Sequence, residues 1–329
     1  MKILSIREIG IIVATIVLAL AFQMLNPVFL TFGFFVIVLA FASRVGIVAS
    51  GMTLLMGSGE FDLSIGSVFA LIPTIAFLLF ESGVNIWIAL AGAFGASILC
   101  GLFNGFIVVR MRIPSFISTL GMMFAYETIA LILTAGGSKE SPPVASFQWI
   151  FGRGEAYGVP VLVIWWLAVT AACYVLLGKT KHGNWSLATG GNREAARAMG
   201  VNTGAVKVKN FILTSALAGL AGTLYSTRMN AVYAIFGQGL ELTVIGAVAI
   251  GGTSLFGGSA TILGTAIASV LLGMVYLGLV TVLPSTVSFG GIANIPPMYL
   301  YEGGAGAIIV IMSLVNVTLD RMRASRRLS

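Results

Sequence analysis

The chain has 329 residues, of which 58% are hydrophobic and 9% are charged, where an ordinary soluble domain carries about 25% charged residues. Mean hydropathy is +1.04. A core surrounded by water needs a polar cover, so this composition excludes a soluble enzyme, a soluble nucleic-acid binder and a disordered chain, and makes the bilayer the natural solvent. The net charge of +7 follows from where the basic residues fall along the chain, and it needs no nucleic-acid partner.

At the N-terminus Lys2 and Arg7 precede an apolar run over 9–21. Ala19-Leu20-Ala21 resembles a signal-cleavage box, but many apolar stretches follow, so the run is read as a retained first membrane helix. No charge occurs over 9–43, 82–109, 156–178 or 242–301, and a crossing needs roughly 20 mostly apolar residues. About ten crossings are predicted, near 8–28, 40–57, 64–81, 85–109, 114–135, 160–178, 210–230, 241–257, 260–283 and 302–320. Pro27, Pro114, Pro160, Pro284 and the Pro296-Pro297 pair mark several ends. The predicted fold is all-α: one polytopic transmembrane domain over 1–329, with a hydrophilic loop at 178–210. Cys100 and Cys173 sit in apolar runs and are read as packing thiols.

An even number of crossings with the N-terminus inside puts every basic residue except Arg44, Lys139, Arg153 and Arg228 on the cytoplasmic side. Both termini are therefore expected in the cytoplasm, with the basic tail at 321–327 meeting anionic lipid.

Catalytic chemistry finds no footing. His182 is the single histidine, which excludes a multi-histidine metal site, and its polar and basic neighbours suggest a solvated loop. There is no phosphate-binding loop with its lysine. No catalytic, cofactor or metal residue is assigned, and transport energy must come from a partner or an ion gradient.

Two glycine-rich breaks interrupt the apolar sequence, at 57–67 and 251–258. Such breaks either turn at the membrane face or line a transport path inside the protein. Glu60 and Asp62 are carboxylates in the first break, and membrane carboxylates are often functional. Asp62 or Ser64 is also placed to cap the following helix. Glu60, Asp62, Ser64, Asn104, Thr253 and Ser254 form the candidate path. Glu127, Glu241 and Arg228 lie within or at the ends of predicted spans, where they could pair or line a pore, but the sequence gives no partner.

The segment 178–210 carries Gly190-Gly191-Asn192-Arg193-Glu194-Ala195-Ala196-Arg197-Ala198-Met199-Gly200. Asn192 is a plausible N-cap and Gly200 a plausible C′ residue, which predicts a helix of about two turns between them. Ala195, Ala196 and Met199 would form a small apolar face for docking, and Arg193 and Arg197 would meet acidic groups of a partner.

Four stretches in order make the chain resemble the permease subunit of bacterial ABC sugar importers of the ribose, xylose and galactose group. They are GMTLLMGSGEFDLSIGS (51–67), NGFIVVRMRIPSFISTLGMM (104–123), GGNREAARAMGVN (190–202) and GGTSLFGGSATILGT (251–265). The resemblance implies an inner-membrane, multi-pass subunit paired with a second copy or a paralogue. It further implies a cytoplasmic ATPase with two nucleotide-binding halves, which holds the ATP and magnesium, and a periplasmic binding protein that delivers a sugar-like solute. Asn192, Arg193, Ala195, Ala196, Arg197, Met199 and Gly200 would then form the coupling helix that transmits ATPase motion. Glu60 departs from the pattern, standing where relatives often have glycine, and Ala260 does so too. Sugar alcohols, nucleosides, signalling furanoses and branched amino acids are other cargo that the resemblance allows. The alternative is an ion-coupled secondary transporter or channel using Glu60 and Asp62.

Overall fold

The apolar runs fold as helices. In the computed structural model, residues 6–282 are described, together with 287–289, 293–295 and residues 303, 306 and 307. Nearly all of the crossing expected at 302–320, and the basic tail, lie outside the described residues. The first five helices are α1 (Ile6–Leu25), α2 (Phe32–Gly57), α3 (Ile65–Glu81), α4 (Ile86–Arg110) and α5 (Ser115–Thr134). A connection follows with β1 (Ser138–Glu140), a short α6 (Ala145–Gln148), a π-helical turn (Trp149–Arg153), β2 (Glu155–Ala156) and β3 (Val159–Pro160). Then come α7 (Val161–Lys179), α8 (Lys181–Gly191), α9 (Arg193–Ala198), α10 (Thr203–Met229), β4 (Ala231–Tyr233), α11 (Leu240–Ile250) and α12 (Ile262–Val282).

Among the described residues, α2, α4, α5, α7 and α12 are long and apolar enough to cross a membrane. α3 and α11 are apolar but shorter, as is the 9–25 part of α1. α2 begins at Phe32 rather than near 40, since nothing charged or helix-breaking intervenes. Its Arg44 is accommodated by aromatic faces, with the guanidinium 4.2 Å from the Phe41 ring centre and 5.2 Å from that of Tyr225.

α10 is the least apolar of the long helices and packs against α2, α3 and α4. Its Thr214, Thr223 and Thr227 are fully buried, and each hydroxyl donates to the carbonyl one turn back, at 2.8, 2.9 and 2.7 Å. Local bonds of that kind satisfy hydroxyls without water. Small residues on α10, Gly219 and Gly222 among them, let its backbone close on α3, which is how helices gain contact where lipid supplies no hydrophobic drive between them.

At one end of the bundle β1 pairs antiparallel with β4 (Ser138 opposite Tyr233), tying the chain after α5 to the chain after α10. Phe77, Trp87, Phe147, Phe151 and Trp165 cluster at that end, as aromatic rings do at membrane interfaces. α8 and α9 lie at the other end. After β4 the chain turns back before α11 begins. α11 has 11 residues and stops at Gly251, so it is a half-length helix rather than the crossing over 241–257 that hydropathy predicts. Cys100 and Cys173 are buried free thiols.

Candidate coupling site and translocation path

α9 forms where the caps dictate. The Asn192 side chain accepts from the Ala195 N–H at 3.0 Å. At the other end the Gly200 N–H donates to Arg197 O (2.9 Å) and the Val201 N–H to Ala196 O (3.0 Å), with Gly200 at φ +83°. This pair of bonds is a Schellman closure, which needs a left-handed residue at C′. Six residues would not hold a helix alone in water; here the two caps and packing on α8 and α10 do so.

The apolar face differs from the expected one. Ala196 alone turns inward, at 5% exposure, while Ala195 is exposed and Met199 is 85% exposed. Packing on α8 and α10 seats the helix by one alanine and leaves the other two residues facing out. Arg197 is held within the chain, its Nε donating to Thr203 Oγ1 at 3.0 Å. Arg193 and Glu194 are exposed.

The segment 178–210 is also more ordered than a solvated loop. α8 fills its first half, and His182 Nε2 lies 2.7 Å from Asn210 Oδ1. Asn210 in turn donates to Leu54 O and Ser186 Oγ, both at 3.1 Å. His182 is therefore a half-buried structural residue, held because α8 folds back over the ends of α2 and α10.

Directly before α9, three glycine-rich motifs meet. Gly258 N–H donates to Gly57 O at 3.0 Å. A Cβ on Gly190 would collide with Gly57 O and lie 2.7 Å from Gly258 N. A Cβ on Gly257, whose φ is +86°, would lie 2.8 Å from Gly190 Cα and 2.9 Å from Gly59 Cα. The break after α2, the turn after α11 and the entry to α9 thus touch backbone to backbone. Thr253 and Ser254 serve this turn: Thr253 Oγ1 accepts from Thr261 N–H (3.2 Å), Ser254 Oγ from Phe256 N–H (3.2 Å).

Just inside this junction lies a closed polar network. Asp62 is fully buried. Its Oδ1 accepts from the Ser64 N–H (2.8 Å) and hydroxyl (2.7 Å), and its Oδ2 from Asn104 Nδ2 (3.0 Å). Asn104 Nδ2 also donates to Ser64 Oγ (2.8 Å), and Tyr126 OH to Asn104 Oδ1 (3.2 Å). Burial pushes the Asp62 carboxyl up from the ordinary aspartate value, and the Ser64 and Asn104 donors pull it back. Asp62, Ser64 and Asn104 are therefore brought together, and Asp62 bonds Ser64 ahead of α3 without capping the first N–H groups of that helix. Glu60 points elsewhere and pairs with Lys207 Nζ at 2.5 Å, joining the break to the first turns of α10.

Farther along α3 an open polar space appears. A cavity of about 140 Å3 is lined by Ser67, Phe124, Glu127, Gln238 and Glu241 among others. Ser67 Oγ donates to Met123 O at 2.8 Å, and Gly66 lies against Gly237 and the Glu241 carboxylate. Glu127 is about 18 Å along α5 from Ser115 at 1.5 Å per residue. Neither glutamate belongs to the glycine-rich motifs. What singles them out in the sequence is only that each is a carboxylate within an apolar stretch. A larger groove of about 550 Å3 beside α4, lined by Leu99, Leu102, Phe103, Phe106 and Met122, is almost wholly apolar and offers little to a polar solute. Among the described residues no cluster of His, Cys, Asp or Glu is arranged to hold a metal ion.

Apolar helices of membrane-crossing length, a closed polar network among them, a small cavity with two carboxylates and an exposed capped helix at one end are the features of a multi-pass membrane subunit. Residues 34–312 match the family model described as the permease component of branched-chain amino acid transport systems, and the chain belongs to that family of permeases. It is similar to the ribose import permease protein RbsC of Escherichia coli strain K12, 35% identical over 82% of this chain and 84% of that one. The same-named protein of Bacillus subtilis strain 168 is 31% identical over 83% and 85%. The autoinducer 2 import system permease protein LsrC of Escherichia coli O9:H4 is 31% identical over 78% and 75%. A looser likeness, TM-score 0.48 at 16% identity over 88% of this chain and 94% of the other, is to PsaBC from Streptococcus pneumoniae in complex with Fab; it is too distant to place a residue.

Proposed function

We propose that this permease subunit carries a monosaccharide or similar polyhydroxylated solute inward, driven by a separate ATPase that docks on α9. The observation that carries the reading is α9 itself: a helix capped at both ends, seated by Ala196, with Ala195 and Met199 exposed and the three-way glycine junction directly behind it. A push on α9 would pass through Gly190 at the end of α8 to the backbone of the breaks after α2 and α11. In this reading α9 faces the cytoplasm, both termini lie on that side, and the chain makes about ten crossings of the inner membrane. A second copy or a paralogue completes the path, and a periplasmic binding protein meets the β1–β4 end. The ATP and magnesium belong to the ATPase. Sugar cargo is supported by relatives whose names assign them ribose and autoinducer 2 import. ATP binding and the loaded binding protein would each favour one of two orientations of the bundle.

The test is reconstitution. Permease, ATPase and binding protein in liposomes should accumulate D-ribose, D-xylose or D-galactose only with ATP present. Uptake that persists without ATP and follows an imposed proton gradient would contradict the proposal.

A further inference from the structure

The glutamates of the cavity have no role in the coupling argument. Glu241 is nine-tenths buried; its Oε1 accepts from the Gly239 N–H at 3.2 Å, and no side-chain donor among the described residues reaches its carboxylate. Glu127, across the cavity on α5, is half-buried and likewise meets no side-chain donor among them. Carboxylates that no side-chain donor faces within a helical membrane bundle are costly and persist where polar matter visits. The nearby Asp62 shows what the chain does with a purely structural carboxylate: it is surrounded by donors.

We propose that this cavity is a solute-binding subsite of the path, in which Glu127 and Glu241 accept hydrogen bonds from the hydroxyls of a neutral monosaccharide-sized ring. The inference rests on the reading of the chain as an import permease and names where that permease holds its cargo. Three features favour a neutral hydroxylated ligand. No lysine, arginine or histidine lines the cavity, so an anion meets two carboxylates and no cationic side chain. The N-terminus of α11 opens onto the same space, and its positive end offsets part of the carboxylate charge, which weakens the hold on a bare cation. Phe124 and Ile235 add apolar walls for the C–H face of a ring, and Gln238 adds an amide that both donates and accepts. The volume admits one small ring and no oligosaccharide.

The test uses the reconstituted complex with radiolabelled D-ribose, D-xylose and D-galactose. The binding protein sets the concentration that half-saturates uptake, so a subsite within the membrane should alter the maximal rate alone. Glu127→Gln and Glu241→Gln should each lower that rate by about tenfold, the scale of one lost charge-assisted hydrogen bond. The half-saturating concentration and the amount of ATPase co-purified should stay unchanged. Gln238→Ala, at an exposed position, should lower it by a smaller factor. Wild-type rates in all three variants would overturn the subsite while leaving the importer reading intact. Wild-type complex that takes up putrescine and none of the sugars would overturn the neutral ligand. A complex that assembles with its ATPase yet moves no solute would overturn the importer reading and the subsite with it.

Discussion

The break after α2 and the approach to α11 interrupt helices in the same bundle, and they are finished in opposite ways. Around 57–64 the side chains and the break are tied within the chain: Asp62 takes three donors, Glu60 takes Lys207, and Gly57 O takes the Gly258 N–H. Around 234–241 the chain leaves the Glu241 carboxylate facing an open cavity that Glu127 of α5 also lines. The first break is built as a joint and the second as an opening. Glycine richness marks the joint, because backbones that touch cannot carry side chains. The opening has a glycine contact of its own, Gly66 against Gly237, and differs in the carboxylates left beside it.

That contrast can be broken most severely at the joint. Gly190→Val places a side chain against Gly57 O and Gly258 N, and overpacking of this kind costs on the order of 1–3 kcal/mol or more. The variant should lose transport and melt at lower temperature in detergent, whereas Gly121→Val, with open space around it, should melt like the wild type. Equal melting of the two would show that the joint is loose.

Next in size is Asn104→Leu, which strips Asp62 Oδ2 of its donor and Tyr126 OH of an acceptor. Leaving buried polar groups unpaired costs about 1–3 kcal/mol, to be read from thermal unfolding. Asp62→Asn should be milder in the same assay, since an amide still accepts from Ser64. A harsher effect from Asp62→Asn would mean that the charge itself is required.

Gly200→Asp bears on coupling more than on folding. A side chain at φ +83° is strained by roughly 1 kcal/mol, and a carboxylate enters the exposed docking face. The protein should insert at normal abundance and fail to transport; normal uptake would separate α9 from coupling.

The smallest effect is expected at Lys139→Ala. Its pair with Glu81, at 2.8 Å, is open to water on both sides, so a loss of about 1 kcal/mol or less is expected in unfolding measurements.

Local features of this chain are legible in its sequence and distant ones are not. The Asn192 and Gly200 caps and the ends of α3 and α4 depend on residues a few positions apart, whereas Asp62 bonds Ser64 and Asn104 and leaves the first N–H groups of α3 itself uncapped by a side chain. The rotation of α9, which buries Ala196 and exposes Met199, depends on where α8 and α10 lie, and α8 hides in a stretch that reads as loop. The short α11 is invisible to hydropathy because its surroundings are apolar whether it crosses or turns back. Glu127 and Glu241 stand on different helices, and only the return of the chain after β4 brings them to one cavity. Within the candidate path the sequence groups Asp62, Ser64 and Asn104 with Glu60, Thr253 and Ser254, yet only the first three share a network.

The most direct test of the account is a photo-crosslinking residue at position 199, activated in the native membrane, with the products identified by mass spectrometry. The account predicts an adduct to an ATPase subunit, because Met199 is the most exposed apolar group of α9. Efficient crosslinking to lipid or to other parts of this chain, with no ATPase adduct during active uptake, would contradict it.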